Sequence, residues 1–324
     1  SGRWSGAVQP IALSAALTLP ALGLLFLPLL VALPSLYPWA DSGQMAASEL
    51  MQAKSGWLNV PFFVGRAVAY FAAWSLLALG LRRLSAQEAH GGKSGRGLAA
   101  LGMILYVLTA TFAAFDWMMS LEPAWFSSIY GLLFLAGQAV AGISLAVMGL
   151  AAAPPPGLPH SGGGETTVPS PLWGGPGWGA LLQTFNDLGN LFLASVMIWA
   201  YFAFSQYLII WSANIPEEAI WYVHRSGGGW QWVALGVIGL HFVLPFALLL
   251  SRRVKRSPRV LAGLLLCARA FDLYWLIVPA FYPEGVHFHW LYPLLLLGMG
   301  GGWAALFARQ WSSKLLAAGR ERQL

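Results

Sequence analysis

Eight long apolar stretches run through the 324-residue sequence and limit what the chain can fold into. They lie at about 10–36, 57–81, 97–120, 124–151, 187–213, 230–251, 259–281 and 290–311. Each reaches the length of about 20 residues that a helix needs to cross a hydrocarbon core of roughly 30 Å. The alternating strands typical of a membrane β-barrel are absent from the sequence, so helices are the remaining way to cross. The sequence therefore predicts an all-α polytopic membrane protein with eight transmembrane helices.

The composition excludes several classes of protein. Charged residues make up 9% of the chain and hydrophobic residues 58%, whereas a soluble domain carries about 25% charged residues. A soluble fold of this length could not cover so much apolar surface, which excludes a cytosolic globular enzyme, a disordered chain and a nucleic-acid-binding module. The single cysteine, Cys267, excludes a disulfide framework and cysteine-ligated clusters. We therefore expect this chain to bind no metal and to carry no redox centre of its own.

The basic residues orient the predicted helices. When the eight stretches are threaded in order, fourteen of the 18 lysines and arginines fall on one side of the membrane. By the positive-inside rule that side is the cytoplasm, and both ends of the chain face it. The net charge of +6 therefore reports membrane topology rather than affinity for nucleic acid. The fourteen residues are Arg3, Arg82, Arg83, Lys93, Arg96, Arg252, Arg253, Lys255, Arg256, Arg259, Arg309, Lys314, Arg320 and Arg322.

A stretch rich in proline and glycine divides the chain into two halves. Residues 1–151 are predicted to form a first four-helix bundle, and residues 187–324 a second one with a basic C-terminal tail. Residues 152–186 are predicted to be an irregular cytoplasmic connector, because Pro and Gly disfavour regular structure there.

Local signals predict kinks and one additional helix. Pro20 and Pro28 lie inside the first stretch and Pro245 inside the sixth, where proline kinks a helix rather than ending it. In the outer loop 214–229, a cap-like Asn214 and then Pro216 precede two acidic residues. This pattern is typical of a helix start, so we expect a short helix lying at the outer interface.

Four ionisable residues fall inside the predicted helices: Arg66, Asp116, Arg269 and Asp272. Each costs several kcal/mol in hydrocarbon unless it is paired or hydrated. Arg66 is about 13 Å below the outer surface at 1.5 Å per residue, and both acids lie toward the outer ends of their helices. Arg269 and Asp272 share one helix face at a spacing of i, i+3. Two interpretations stay open, namely structural ion pairs, or a polar pocket or proton path that opens toward the outer surface.

Other polar residues could extend such a path, although each also has an ordinary interhelical hydrogen-bonding role. His241 is the only histidine near the middle of a helix, and a haem held between helices would need a second one. His287 and His289, in the outer loop, are a weak metal signal. The residues that could extend the path are Tyr70, Gln138, Tyr201, Gln206, His241 and Tyr274.

Several long strings resemble the smaller NrfD-like, or polysulfide-reductase-like, membrane subunit of bacterial alternative complex III. The first is FDWMMSLEP at 115–123, followed by WFSSIYG at 125–131. The others are YFAFSQYLIIWSANIPEE at 201–218, Trp221-Tyr222 with Arg225, RAFDLYW at 269–275, and the opening Gly2-Arg3-Trp4. The likeness extends from residue 1 to about residue 311.

The resemblance implies a role in electron transport within a bacterial inner membrane. Complexes of this family oxidise membrane quinol and pass electrons through iron–sulfur and haem c subunits to a periplasmic carrier or a terminal oxidase. The larger NrfD-like subunit holds the principal quinol site, which leaves a quinone site, a proton path or a scaffold as the role of the smaller one. Members of the family carry a further helix pair, and this sequence opens without Met, so we expect a preceding segment. Apart from these subunits, the expected partner of the chain is the lipid that surrounds its helices.

Residue roles follow from the resemblance and the charge pattern together. Quinol oxidation releases protons, so Asp116 or Asp272 is a candidate acceptor, with Glu122 a further candidate on the path. Arg66 and Arg269 are the charge partners that would keep an acid ionised or bind a quinone carbonyl. Glu217, Glu218 and Arg225 are expected at an outer-loop interface with partner subunits. A secondary transporter or ion channel, and an assembly factor, remain the alternatives.

Overall fold

The computed structural model is built from α-helices. It describes residues 3–89, 95–152, 177–256 and 258–320, and no β-strand is present in that part of the chain. A π-helical turn covers Ile238–Val243, and short 3₁₀ turns cover Pro38–Ala40, Met119–Leu121 and Val278–Ala280. The α-helices are Arg3–Ala16, Leu19–Leu25, Leu27–Val31, Leu33–Leu36, Ser42–Ala47, Glu49–Ala53, Val60–Ala89, Arg96–Trp117, Tyr130–Ala152, Gly177–Ala213, Pro216–Val223, Trp230–Val237, Leu244–Leu249, Arg252–Arg256, Arg259–Ile277 and Leu291–Arg320.

Within the described residues, eight helical segments are long and apolar enough to cross a membrane, which confirms the predicted all-α polytopic fold. We number these spans one to eight in chain order. They are Trp4–Val31, Val60–Glu88, Arg96–Leu121, Tyr130–Ala152, Gln183–Ala213, Trp230–Leu249, Arg259–Ala280 and Leu291–Trp311.

Proline divides the first span into short helices. New helices begin at Leu19, Leu27 and Leu33, and each has a proline in its first turn. This follows from the chemistry of proline, which lacks the N–H of a helix interior but fits the first turn well. The prediction that Pro20 and Pro28 kink the helix rather than ending it was therefore wrong, because each proline lies in the first turn of a new short helix. The span itself begins at Trp4 rather than near residue 10.

The sixth span contains a wider, π-helical turn ahead of Pro245. Residues Ile238–Val243 form this turn, and the N–H of Leu244 donates to the carbonyl of Gly239, five residues earlier. Pro245 has no N–H to donate to the carbonyl of His241, which lies four residues before it. The loss of that α-helical bond explains why the regular pattern gives way at this point.

The connector is shorter than predicted. The helix Gly177–Ala213 already includes residues 177–186, which contain no proline and are rich in helix-compatible residues. The assignment of those ten residues to an irregular connector was therefore wrong. Residues 153–176 lie outside the described residues, as do Lys93 and Arg322 of the basic pattern.

The short helix predicted in the loop 214–229 is confirmed at Pro216–Val223, with Glu217 and Glu218 in its first turn, and its location at the outer interface stays a prediction. The capping residue differs from the prediction, because Ile215 occupies that position and no side chain caps the helix. Asn214 instead adopts a φ of 49° directly after the preceding helix. Asparagine tolerates this left-handed conformation better than most residues, and it is common just past a helix C-terminus.

The chain forms two compact units, each drawing on both halves of the sequence. Unit 1 contains Ser1–Ala12, Ala136–Phe204 and Trp232–Trp275. Unit 2 contains Leu13–Leu135, Ser205–Gln231 and Leu276–Leu324. The division into two consecutive four-helix bundles stays a prediction.

An aromatic core in unit 2 supports the outer end of the third span. Tyr37, Trp39 and Phe63 pack together with ring centroids 5.2–5.5 Å apart. The hydroxyl of Tyr37 donates to the carbonyl of Trp117 at 2.9 Å. Trp117 follows Asp116 directly, so this bond ties the core to one of the intramembrane acids.

Candidate functional site

The first buried ion pair joins Arg66 of the second span to Asp116 of the third. Nε and Nη2 of Arg66 each donate to a different carboxylate oxygen at 2.8 Å, which is a bidentate geometry. The side chains are 8% and 1% exposed. Asp116 lies in the last turn of the helix Arg96–Trp117, so the pair is close to the end of the third span that the charge pattern places outside.

Two further donors complete the environment of Asp116. The hydroxyl of Tyr70 donates to Oδ2 at 2.9 Å, and the indole of Trp57 donates to Oδ1 at 3.0 Å. The guanidinium of Arg66 also lies 4.1 Å from the ring centroid of Trp57 and 4.2 Å from that of Phe62. The carboxylate therefore accepts four hydrogen bonds, and the arginine gains cation–π contacts on the apolar side. Buried charges persist in proteins when they are paired in this way.

The second buried ion pair, in unit 1, lies within a single helix. Arg269 donates from Nη1 to Oδ2 of Asp272, three residues later, as their shared helix face predicts. Both side chains are buried. Gly137 of the fourth span leaves the space that the guanidinium occupies, because a Cβ added to Gly137 would collide with three of its atoms.

His241 borders this second pair. It is fully buried in the π-helical turn, and its Nδ1 lies 3.7 Å from Oδ2 of Asp272. Neither ring nitrogen makes a hydrogen bond in the described structure, and the ring packs on Trp199 with centroids 4.1 Å apart. Asp272, Arg269 and His241 thus form one titratable cluster inside the membrane-spanning part of unit 1.

A third ion-paired cluster lies in the loops of unit 2. Arg225 donates from Nη2 to Oε2 of Glu122 at 2.7 Å, and also to the backbone carbonyls of Trp221 and Leu276. Its guanidinium stacks 3.8 Å from the ring centroid of Trp221. Nδ1 of His224 lies 3.0 Å from the other oxygen of Glu122, and His224 is one-third exposed. This cluster joins the segment after the third span to the end of the outer helix.

Three of the predicted residues make contacts outside the ion pairs themselves. Tyr201 is 66% exposed and contacts Phe202, while Tyr274 stacks on Phe271 with centroids 6.3 Å apart. Gln206 is buried and accepts a hydrogen bond from Ser127 at 3.2 Å.

The three residues predicted at an outer-loop interface differ in their environments. Glu217 is exposed, and Glu218 is partly buried. The backbone carbonyl of Glu218 accepts a bond from the indole of Trp125 at 3.0 Å. Arg225, by contrast, is buried and binds Glu122 of the same chain, and the expected interface of these residues with partner subunits stays a prediction.

The sequence analysis missed residues whose role depends on contacts between distant segments. Trp57, His224 and Gly137 each touch an ion pair, yet none has a charge inside a span that would single it out. Of these three residues, His224 is the one that the sequence could have indicated, because it is next to Arg225. Neighbouring residues at a helix end can reach the same acid, here Glu122.

The clusters bring together groups that can hold charges and exchange protons. Carboxylates, an imidazole and phenols are the groups that relay protons in membrane proteins. In the described ranges, no three His, Cys, Asp or Glu side chains come together as metal ligands.

A scan of protein-family models and a search of curated proteins both return no match for this chain. The eight apolar helices establish an integral, multi-pass membrane protein. Any more specific assignment depends on the resemblance of the strings and on the clusters above.

Proposed function

We propose that this chain is the smaller NrfD-like membrane subunit of a bacterial quinol:electron-acceptor oxidoreductase of the alternative complex III type. In that role it anchors iron–sulfur and haem c subunits beside the larger NrfD-like subunit, and it carries no redox centre itself. A periplasmic carrier or a terminal oxidase receives the electrons. The membrane would then be a bacterial inner membrane.

One observation carries the proposal: each ion-paired cluster contains residues from the strings that suggest the family. Asp116 and Glu122 both belong to the string at 115–123, and Arg225 belongs to the match formed with Trp221-Tyr222. Arg269 and Asp272 belong to the string at 269–275. Residues of the strings thus contribute at least one charged member to each ion-paired cluster, which supports a shared function for them.

Within the complex, the chain would contribute proton-conducting groups near the outer face. Asp116 has four hydrogen-bond donors and lies in the last turn of its helix. Asp272 is next to a histidine whose ring nitrogens make no hydrogen bond. Arg66 and Arg269 are the charge partners of these acids, which would be the groups that accept the protons released by quinol.

Purification from native membranes tests the proposal. A tagged copy of the chain should bring down iron–sulfur and c-type haem subunits, visible in the reduced-minus-oxidised spectrum, together with quinol oxidation activity. Asp116→Asn and Asp272→Asn should each lower turnover or proton release in the assembled complex. A preparation without c-type haem would contradict the proposal, and unchanged turnover and proton yield in both variants would restrict the chain to a scaffold.

A secondary transporter is the second candidate, and one observation favours it. The first span is interrupted by prolines, and the sixth contains a π-helical turn with buried His241. Interrupted helices with polar groups at mid-membrane are typical of transporters. Solute-driven proton uptake by vesicles that contain only this chain would favour this candidate over the first.

A further inference from the structure

A cavity of about 290 Å³ lies in unit 2, between the loop that precedes the second span and the segment that follows the third span. None of its lining residues belongs to the three ion-paired clusters, apart from Trp57, whose indole binds Asp116. The walls are mainly apolar and include four aromatic side chains, and one side chain is cationic. The residues that matter for its chemistry are Lys54, Trp57, Phe115, Met119, Trp125 and Phe126.

The walls of the cavity are held in place by bonds on their far sides. Trp57 donates its indole N–H to Asp116 and supports the guanidinium of Arg66. Trp125 donates to the carbonyl of Glu218 and stacks on Trp221 with centroids 5.0 Å apart. Because both indoles are fixed by contacts outside the cavity, the space between them does not need a ligand to keep its shape.

Lys54 gives the cavity its charge. Its ammonium donates to the carbonyl of Pro123 at 2.6 Å and lies 5.7 Å from the ring of Phe126. Of the two cations in the outer loops, Arg225 is paired with Glu122, whereas no carboxylate is within salt-bridge distance of Lys54 among the described residues. Burial lowers the pKa of Lys54 below its usual value. A bound anion would offset the cost of that burial by pairing with the ammonium.

The position of the cavity along the membrane normal is informative. Phe115 belongs to the third span, so one wall reaches hydrocarbon depth. Trp57 and Phe126 are 39% and 57% exposed just beyond the spans, where aromatic side chains sit at headgroup level. The cavity therefore extends from the edge of the hydrocarbon to the headgroup layer, with its cation outside the spans.

We propose that this cavity binds an anionic membrane phospholipid, with the phosphate on the ammonium of Lys54 and the start of an acyl chain against Trp57 and Phe115. A lipid combines the two features that the walls require, an anion and an apolar chain. A free phosphate would leave the aromatic walls unused. The inference depends on the membrane location alone and not on any electron-transfer role.

Native mass spectrometry of the detergent-solubilised full chain tests this proposal. The chain should bind phosphatidylglycerol at lower added lipid concentrations than it needs to bind phosphatidylcholine. Lys54→Gln should weaken the tightest phosphatidylglycerol adduct by about tenfold or more, the range for losing a charge-assisted contact. Lys54→Arg should retain most of the binding. Arg83→Gln, which removes an exposed charge on the predicted inner side, should leave the tightest adduct unchanged and so controls for loosely bound lipid.

Four outcomes would overturn the proposal. The first is equal retention of the two lipids, and the second is unchanged binding by Lys54→Gln when its unfolding temperature matches that of the parent chain. The third is inorganic phosphate that competes as well as the lipid, which would indicate a site for free anions. The fourth is displacement of phosphatidylglycerol by an equal concentration of decylubiquinone, which would indicate that the cavity binds a flat, neutral ring rather than an anionic lipid.

Discussion

Breaking the pair between Arg66 and Asp116 should be among the most damaging changes to this chain. Each oxygen of Asp116 accepts one bond from Arg66 and one from a neutral donor, Tyr70 or Trp57. In Asp116→Asn the amide nitrogen cannot accept, so one charge-assisted bond and one neutral bond are lost whichever way the amide turns. The expected cost is about 2–4 kcal/mol from typical bond contributions, which overlaps the 3–5 kcal/mol typical of breaking a buried pair.

A double-mutant cycle separates the pair from its surroundings. Arg66→Met leaves a buried carboxylate without its cation and should cost a similar amount. In the double variant Arg66→Met, Asp116→Asn, no charge stays buried, and the amide oxygen still accepts from Tyr70 or Trp57. We therefore expect the double variant to cost less than the two single changes together, with a coupling energy of about 2 kcal/mol.

Reversible unfolding in mixed micelles, followed by tryptophan fluorescence, measures these free energies. Arg83→Met is the matched control, because Arg83 is exposed and its replacement should fall within about 0.5 kcal/mol of the parent chain. Single changes that each cost less than about 1 kcal/mol would show that the buried pair contributes little to stability. A double variant whose cost equals the sum of the single changes would show that the two side chains are not coupled.

Three further predictions follow from the same structure and can be measured by unfolding. Gly137→Ala should destabilise the chain by about 1–3 kcal/mol, because the new Cβ would displace the guanidinium of Arg269; equal stability of this variant would contradict the close approach. Gly228→Ala should destabilise it because this residue has a φ of 57° and its Cβ would meet a backbone carbonyl, whereas Gly227→Ala, in open space, should have little effect. Burial and, second, the nearby acid raise the pKa of Tyr37 above its usual value of 10.0, so the folded state holds a proton that the unfolded state releases; stability should therefore fall as pH rises through about 10, and less so in Tyr37→Phe.

The spans could be predicted from the sequence because the physics that defines them is local. A run of about 20 apolar residues needs no knowledge of its neighbours to be assigned to a membrane. The i, i+3 spacing of Arg269 and Asp272 is equally local, and their pairing follows from one helix. The interruptions of the first span at Pro20 and Pro28 depend only on the missing N–H of proline.

The contacts that build the clusters are not local. Arg66 and Asp116 are 50 residues apart, and Glu122 and Arg225 are 103 residues apart. The positions of the charges in the sequence indicated that the buried ions must be neutralised. Two arginines and two aspartates within the spans can be paired in more than one way, however, and the sequence does not choose between these pairings. The burial of Arg225 and its bond to Glu122 depend on the approach of two loops that are distant in sequence, and its expected interface with partner subunits stays a prediction.

The start of the helix Gly177–Ala213 shows a different limitation. The composition averaged over 152–186 is dominated by the proline and glycine before residue 177. This average concealed the change from a proline-rich stretch to a helical one at Gly177. A window shorter than one helix would have been needed to separate the two parts, and such windows give weak helical signals on their own.

The widened turn at Ile238–Val243 has a consequence for how the sixth span tolerates changes in length. A π-helical turn holds roughly one residue more than the α-helical turn it replaces, so it acts as an insertion absorbed within the helix. Deleting one residue there should restore a regular helix rather than break it. Because the turn has already absorbed the extra residue, the helix on either side of the deletion should keep nearly the same orientation. The change would fall on the turn itself, where His241 would lose its place beside Asp272.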